Sequence, residues 1–268
     1  MGIPLTKYGW PQVVVFPAAV FVVMAVFLAG TIGFLQPWVI ISIEVVLAVV
    51  LVWILMFFRD PERCCPSDRN LLLAPADGRI TDIEVVEDPP AFLRKQEGGG
   101  GTALRIGIFL SIFDTHINRA PCNVKVERIT YKKGLYKNAM NPQSGQVNES
   151  NDLGLIRIDN PKDRLIVRQI SGAIARRIVC DKVEGQELAG GERFGMIKFG
   201  SRTELYVPIR LSSCVGRDAS CEDSRKEKVK RPNTQYATQD TQYEIKYLVQ
   251  IGDRVKAGLT PLVKYEKV

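Results

Sequence analysis

Three segments of this chain contain residue types that could do chemistry: Ala74-Pro-Ala-Asp-Gly78, Phe113-Asp-Thr-His-Ile-Asn-Arg-Ala-Pro121 and Phe194-Gly-Met-Ile-Lys-Phe-Gly-Ser-Arg202. A serine alcohol is a weak nucleophile until a base takes its proton. An imidazole suits that task near neutral pH, and a carboxylate can orient the imidazole. Ser201, His116 and Asp77 are therefore the parts of an activated alcohol. Each also has a plainer reading on its own. Asp77 before Gly78 is a turn pair, a lone histidine is commonly a satisfied structural group, and Gly200-Ser201 between apolar runs is a bulge or bend within a strand. The three residues lie 39 and 85 positions apart, and no spacing rule joins them.

Other chemistries are excluded more easily. His116 is the only histidine and no Cys-x-x-Cys pair occurs, which leaves no Cys/His zinc site. The four glycines before Thr102 lack the Gly-Lys-Ser/Thr of a phosphate loop, so 96–102 reads as a hairpin tip. Ser201 also lacks the Gly-x-Ser-x-Gly elbow of the serine hydrolases.

The elements that must position these residues fall into two unlike parts. Residues 1–58 hold one cation, Lys7, and one anion, Glu44, although the 268 residues include 36 basic and 29 acidic ones. The net charge of +7 therefore belongs to the remainder. Residues 13–35 carry no charge and 38–58 only Glu44. As helices, each would be roughly 30 Å long, about the thickness of a bilayer's hydrocarbon core, and longer than a signal peptide's apolar region. Only Gln36 and Pro37 separate them, which predicts a tight helical hairpin, spanning or re-entrant, with both ends on one face. Glu44 lies near enough to that turn to reach headgroups. Arg59, Arg63 and Arg69 follow the hairpin, so the positive-inside rule places the rest on the cytoplasmic face of the inner cell membrane. There the six cysteines, Cys214 and Cys221 included, stay thiols.

From residue 71 the pattern turns to short apolar runs broken by turns, at 71–73, 80–86, 103–113, 124–131, 153–158, 165–170, 196–199, 205–211 and 243–251. Helical periodicity is confined to 91–97 and 135–141. This predicts a mainly β domain over 59–268, sandwich or barrel-like with few short helices. Residues 216–240 are polar and nearly free of large aliphatics, and read as a disordered insertion. The basic balance comes without a nucleic-acid motif, so anionic membrane lipid is the expected partner and nucleic acid is not.

Six separated segments also resemble, in order, the phosphatidylserine decarboxylase family in its compact, pyruvoyl-dependent form. They are FFRDPER at 57–63, APADG at 74–78, FLSIFDTHINRAP at 109–121, QISGAIARRIVC at 169–180, GERFGMIKFGSR at 191–202 and GDRVKAG at 252–258. The resemblance implies a proenzyme that cuts itself between Gly200 and Ser201, leaving a β chain of 1–200 and an α chain of 201–268 as a heterodimer. Ser201 would become a covalent pyruvoyl cofactor. That group would form a Schiff base with phosphatidylserine and release CO2 and phosphatidylethanolamine. His116 is then the base, Asp77 its orienter, and no metal is required. Larger family members carry a second histidine where this chain has Arg119, and Leu-Gly-Ser-Thr where it has Phe-Gly-Ser-Arg. Arg119 is thereby a candidate contact for substrate phosphate or carboxylate, with holding of its own loop as the alternative. A competing reading takes GDRVKAG as the hairpin of a membrane-anchored, lipoyl-like binding or adaptor module without catalysis.

Overall fold

The computed structural model describes residues 5–94, 101–141, 144–173, 177–198, 201–210, 235–238 and 242–268. The two apolar runs form α1 (Gln12–Thr31) and α2 (Pro37–Phe57), packed against each other. Gly33, at a φ of 92°, turns the chain after α1, and Pro37 opens α2 where a missing N–H costs nothing. Both helices are long and apolar enough to cross a membrane, and almost none of their surface is covered by protein. Their feet are tied to the β domain. Thr6 N–H donates to Phe58 O at 2.9 Å, Lys198 Nζ to Gln12 Oε1 at 2.8 Å, and Tyr8 Oη to Asp181 Oδ1 at 3.0 Å.

The β domain contains strands β1 (Leu71–Leu73), β2 (Gly78–Val86), β3 (Ala103–Leu110), β4 (Ile117–Arg119), β5 (Val124–Lys132), β6 (Ser150–Arg157), β7 (Arg164–Ile170) and β8 (Arg177–Cys180). They are followed by β9 (Glu187–Leu188), β10 (Arg193–Lys198), β11 (Ser201–Pro208), β12 (Gln235–Ala237), β13 (Tyr243–Tyr247), β14 (Arg254–Val255) and β15 (Pro261–Lys267). The helices α3 (Ala91–Arg94) and α4 (Ser144–Val147) are single turns. An eight-stranded sheet runs β14-β2-β3-β11-β7-β6-β5-β9 and curls around a core closed by the four-stranded sheet β1-β15-β13-β12. The mainly β expectation holds. The helix expected at 135–141 is absent; a single turn forms at 144–147 instead. The 96–102 tip and most of 216–240 lie outside the described residues, but Gln235–Ala237 are a strand paired with β13, not part of a loop.

Strand alternation sorts the side chains. On β11, Leu205 and Val207 enter the core, whereas Arg202, Glu204 and Tyr206 point to the other face. That face is also buried, and its charges are paired. Arg202 bonds Glu204 at 2.8 Å, Thr81 at 2.7 Å and also Asp82, while Arg168 grips Asp152 at 2.6 and 2.7 Å.

The small sheet β4-β10-β8 explains the layout of the site. Its three strands continue, in the same order, three neighbours of the large sheet: β3 leads into β4, β10 into β11, and β7 into β8. Three adjacent strands are thus interrupted at one level, and the chain passes from one sheet to the other there. Ser201 is the first residue of β11, in the large sheet, and Lys198 the last of β10, in the small one; the bend expected at Gly200-Ser201 falls on residues partly outside those described.

Gly78 opens β2 at a φ of 149°, and a Cβ there would collide with the backbone carbonyl of Phe109 on β3. Gly78→Ala should lower stability by roughly 2 kcal/mol, read as a drop in the melting temperature of the detergent-solubilised protein.

Candidate functional site

His116 lies in the interruption between β3 and β4 and is fully buried. The turn that carries it is closed by Asp114, whose carboxylate accepts from Ser111 N–H at 2.8 Å. His116 Nδ1 lies 2.9 Å from the Asp114 carbonyl oxygen. A carbonyl only accepts, so Nδ1 carries the proton of the neutral ring and Nε2 keeps its lone pair. The Phe57 ring, at the last residue of α2, packs on the imidazole with centroids 4.4 Å apart. Burial is the main reason that the His116 pKa is pushed from 6.5 down to about 4; the Asp114 bond opposes this, Arg59 adds to it and the charge of Asp77 opposes it. The imidazole is therefore neutral and basic at physiological pH.

Ser201 is also fully buried, and its Oγ has no hydrogen-bond partner among the described residues. An unsatisfied buried hydroxyl is costly enough to need a reason. Gly200, the other half of the expected cleavage site, lies outside the described residues. Strand β4 is held alongside β11 by a buried polar relay: Asn118 Nδ2 donates to Thr203 Oγ1 at 3.1 Å, Gln169 Nε2 to Asn118 Oδ1 at 2.9 Å, and Asn151 Nδ2 to Gln169 Oε1 at 3.0 Å. Sequence reasoning missed Asn118, Gln169 and the Phe57 contact. All three residues fall inside the family-like segments, but nothing in their spacing shows that they meet.

Asp77 is placed differently from the triad expectation. Its carboxylate takes both terminal nitrogens of Arg63 at 2.6 and 2.7 Å and the Ala257 N–H at 2.7 Å. It acts on His116 through its charge, and the hydrogen bond that orients the imidazole comes from the Asp114 carbonyl instead. The same contacts gather the FFRDPER, APADG and GDRVKAG segments into one support, which gives the last a structural role. Arg119 is buried too. Its guanidinium bonds Gly191 O at 3.0 Å, Pro61 O at 2.8 Å and Asp60 Oδ1 at 3.2 Å. These contacts fasten β4 to the segment that follows α2. Among the described residues no cluster of His, Cys, Asp and Glu could hold a metal.

Fold and site together define a class: a curled β domain with a buried serine and with a neutral buried imidazole set against the foot of an apolar helical hairpin. The model of the family described as Phosphatidylserine decarboxylase matches residues 50–229, and the chain belongs to that family. It is similar to the phosphatidylserine decarboxylase proenzyme of Azorhizobium caulinodans, 41% identical over 208 residues covering 77% of this chain and 80% of that protein. The protein of the same name from Xanthobacter autotrophicus is 43% identical over 158 residues, 59% of this chain and 65% of that one. The one from Gluconacetobacter diazotrophicus is 45% identical over 154 residues, 58% of this chain and 66% of that one. The matched stretch thus falls just short of two thirds of two of these relatives.

A single histidine makes the electrostatics directly measurable. The lone imidazole resonance of the full-length Ser201→Ala protein should titrate at about 4, not 6.5. Because the unfolded ring takes its proton near 6.5, the folded protein should lose stability as pH falls from there toward about 4. Phe57→Ala admits water to the ring and should move the titration up toward 6.5.

Proposed function

We propose that this chain is a membrane-anchored phosphatidylserine decarboxylase proenzyme that activates itself at Ser201. The observation that carries the reading is the buried Ser201 hydroxyl, without a hydrogen-bond partner among the described residues, at the end of the large sheet where β3 leads toward the neutral imidazole of His116. A hydroxyl meant only for structure would be hydrogen-bonded; one kept for reaction with the preceding carbonyl need not be. The proenzyme names of the relatives support processing, and the two apolar helices support a membrane location, with the β domain on the cytoplasmic face.

The chemistry asked of these residues balances as follows. His116 Nε2 takes the Ser201 hydroxyl proton while Oγ attacks the carbonyl carbon of Gly200. Collapse breaks the Gly200–Ser201 amide and leaves an ester with a free amine at 201. Loss of the Cα proton of residue 201 then expels the Gly200 carboxylate, ending the β chain at 200. The dehydroalanine left at position 201 takes up water, loses ammonia and becomes the pyruvoyl group. The site suits this group: its carbon skeleton is that of Ser201, already enclosed at the break. When formed, it supplies an electrophilic ketone that condenses with the substrate amine and draws off the electron pair released with CO2. What the chain contributes besides is a dry site, an imidazole that holds or returns a proton at Nε2, and an anchor in the lipid phase where a diacyl substrate resides. Phosphatidylethanolamine is the product.

Intact-mass measurement should find wild-type protein as two chains, 1–200 and 201–268, the smaller without a free N-terminal amine. Ser201→Ala should remain one chain. His116→Ala should slow processing by about 10²–10⁴-fold, the usual contribution of a positioned general base. Cyanoborohydride with phosphatidylserine should add the headgroup to the small chain alone. A wild-type protein that stays uncut yet decarboxylates would overturn the proposal.

A further inference from the structure

Lys198 is a buried cation that the proposed chemistry does not use. It is the last residue of β10 and is 4% exposed, and the N–H of Ile197 before it donates to the His116 carbonyl at 3.3 Å. Ser201 follows three residues later, so the two Cα atoms are at most roughly 11 Å apart. Among the described residues the Lys198 ammonium makes one hydrogen bond, to Gln12 Oε1 at 2.8 Å, and that acceptor is neutral. On the adjacent strand β8, Arg177 is directly opposite Lys198 in the register and is exposed. Opposed residues share a face, so two cations stand side by side. Burial and the charge of Arg177 both push the Lys198 pKa down, and no carboxylate among the described residues offsets them.

A buried ammonium is normally paired, because its desolvation is otherwise uncompensated, and like charges directly opposite on neighbouring strands repel each other. The arrangement is therefore complementary to an anion. Its place in the fold narrows which one. Two residues before Lys198, Met196 packs with Ile117, Val179, Phe57 and Phe58 beneath the hairpin, and alternation puts Lys198 on the same face. Gln12, which Lys198 touches, is the first residue of α1. The cation pair thus lies at the foot of the hairpin, the depth at which helices embedded in a bilayer meet the headgroups.

We infer that Lys198 and Arg177 hold the phosphodiester of the substrate headgroup while its amine and carboxylate lie at residue 201. This rests on the function proposed above. In phosphatidylserine only an ester oxygen and one methylene separate phosphorus from the carbon that bears the amine and the carboxylate, so a phosphate at Lys198 leaves the reacting carbon within reach of residue 201. The carboxylate is the poorer match for the pair. A cation bound to it would stabilise the ground state and lose its hold as CO2 departs, which slows the reaction. The phosphate keeps its charge from substrate to product, so holding it is uniform binding and is read in KM. The ammonium has two N–H donors besides the one given to Gln12, and the Arg177 guanidinium can supply a fork.

The test compares phosphatidylserine with its methyl phosphotriester, which keeps the amine and the carboxylate and has no charge at phosphorus, on the full-length, self-processed protein in neutral detergent micelles. Wild type should favour the diester in kcat/KM by about 10–100-fold, the usual worth of hydrogen bonds to a charged group. Lys198→Gln and Arg177→Gln should each bring that ratio toward one, with the loss carried by KM, and Lys198→Arg should recover most of it. Arg177 lies outside the segment that is cut, so its variant still decides the matter where Lys198→Gln fails to process. Ratios that stay at the wild-type value in the glutamine variants overturn the inference. Inhibition of wild type by inorganic phosphate, lost in Lys198→Gln and with no preference between the two lipids, would assign the pair to a free anion and overturn it as well. A processed wild type that decarboxylates neither lipid overturns the reading of the function beneath it.

Discussion

The contact between the Phe57 ring and the His116 imidazole is the constraint on which the rest of the arrangement depends. An imidazole in water is half protonated near pH 6.5, and a base that is half protonated is half disabled. Enclosing the ring makes the charged form expensive and keeps the imidazole neutral. The β domain cannot do this alone, because His116 lies in a break between strands, where three neighbouring ladders stop. The foot of α2 fills that gap with Phe57, Phe58 and Ile54, packed on Ile117 and Met196. The apolar helix α2 thus also covers the imidazole.

Interrupting a sheet leaves backbone and side-chain polar groups that need partners. Here the Asn118, Gln169 and Asn151 amides bridge β4, β7 and β6, and Asn118 also reaches Thr203 on β11. On the outer face, Arg202 is locked between Asp82 and Glu204 immediately after Ser201. Breaking a buried pair leaves an uncompensated charge, so the first residues of β11 have little freedom. Among the described residues the Ser201 hydroxyl is one of the buried polar groups without a hydrogen-bond partner.

Electrostatics divide the work in a way a simple triad picture would miss. Asp77 faces the imidazole as a distant charge and is held by Arg63 and the Ala257 N–H. The Asp114 carbonyl selects the tautomer. Arg119 is locked to Asp60, Pro61 and Gly191.

Much of this was legible in the residues. Two apolar runs, with Glu44 as their one charge and Gln36 and Pro37 between them, determine a helical hairpin, because nothing else hides so many apolar side chains in so few residues. Alternating apolar runs after residue 71 determine a mainly β domain, and the family-like segments determine the family. The short strands β4, β8 and β14 were not legible, since two to four residues carry too little periodicity, and they exist only because longer neighbours present open edges. Nor could spacing show that β10 and β11 belong to different sheets, that Arg119 faces inward, or that Phe57 covers His116. Those facts depend on contacts between residues 59 to 133 positions apart, as with Asp60 and its arginine partners. A local pattern records which face of an element is apolar; only the folded chain decides what that face meets.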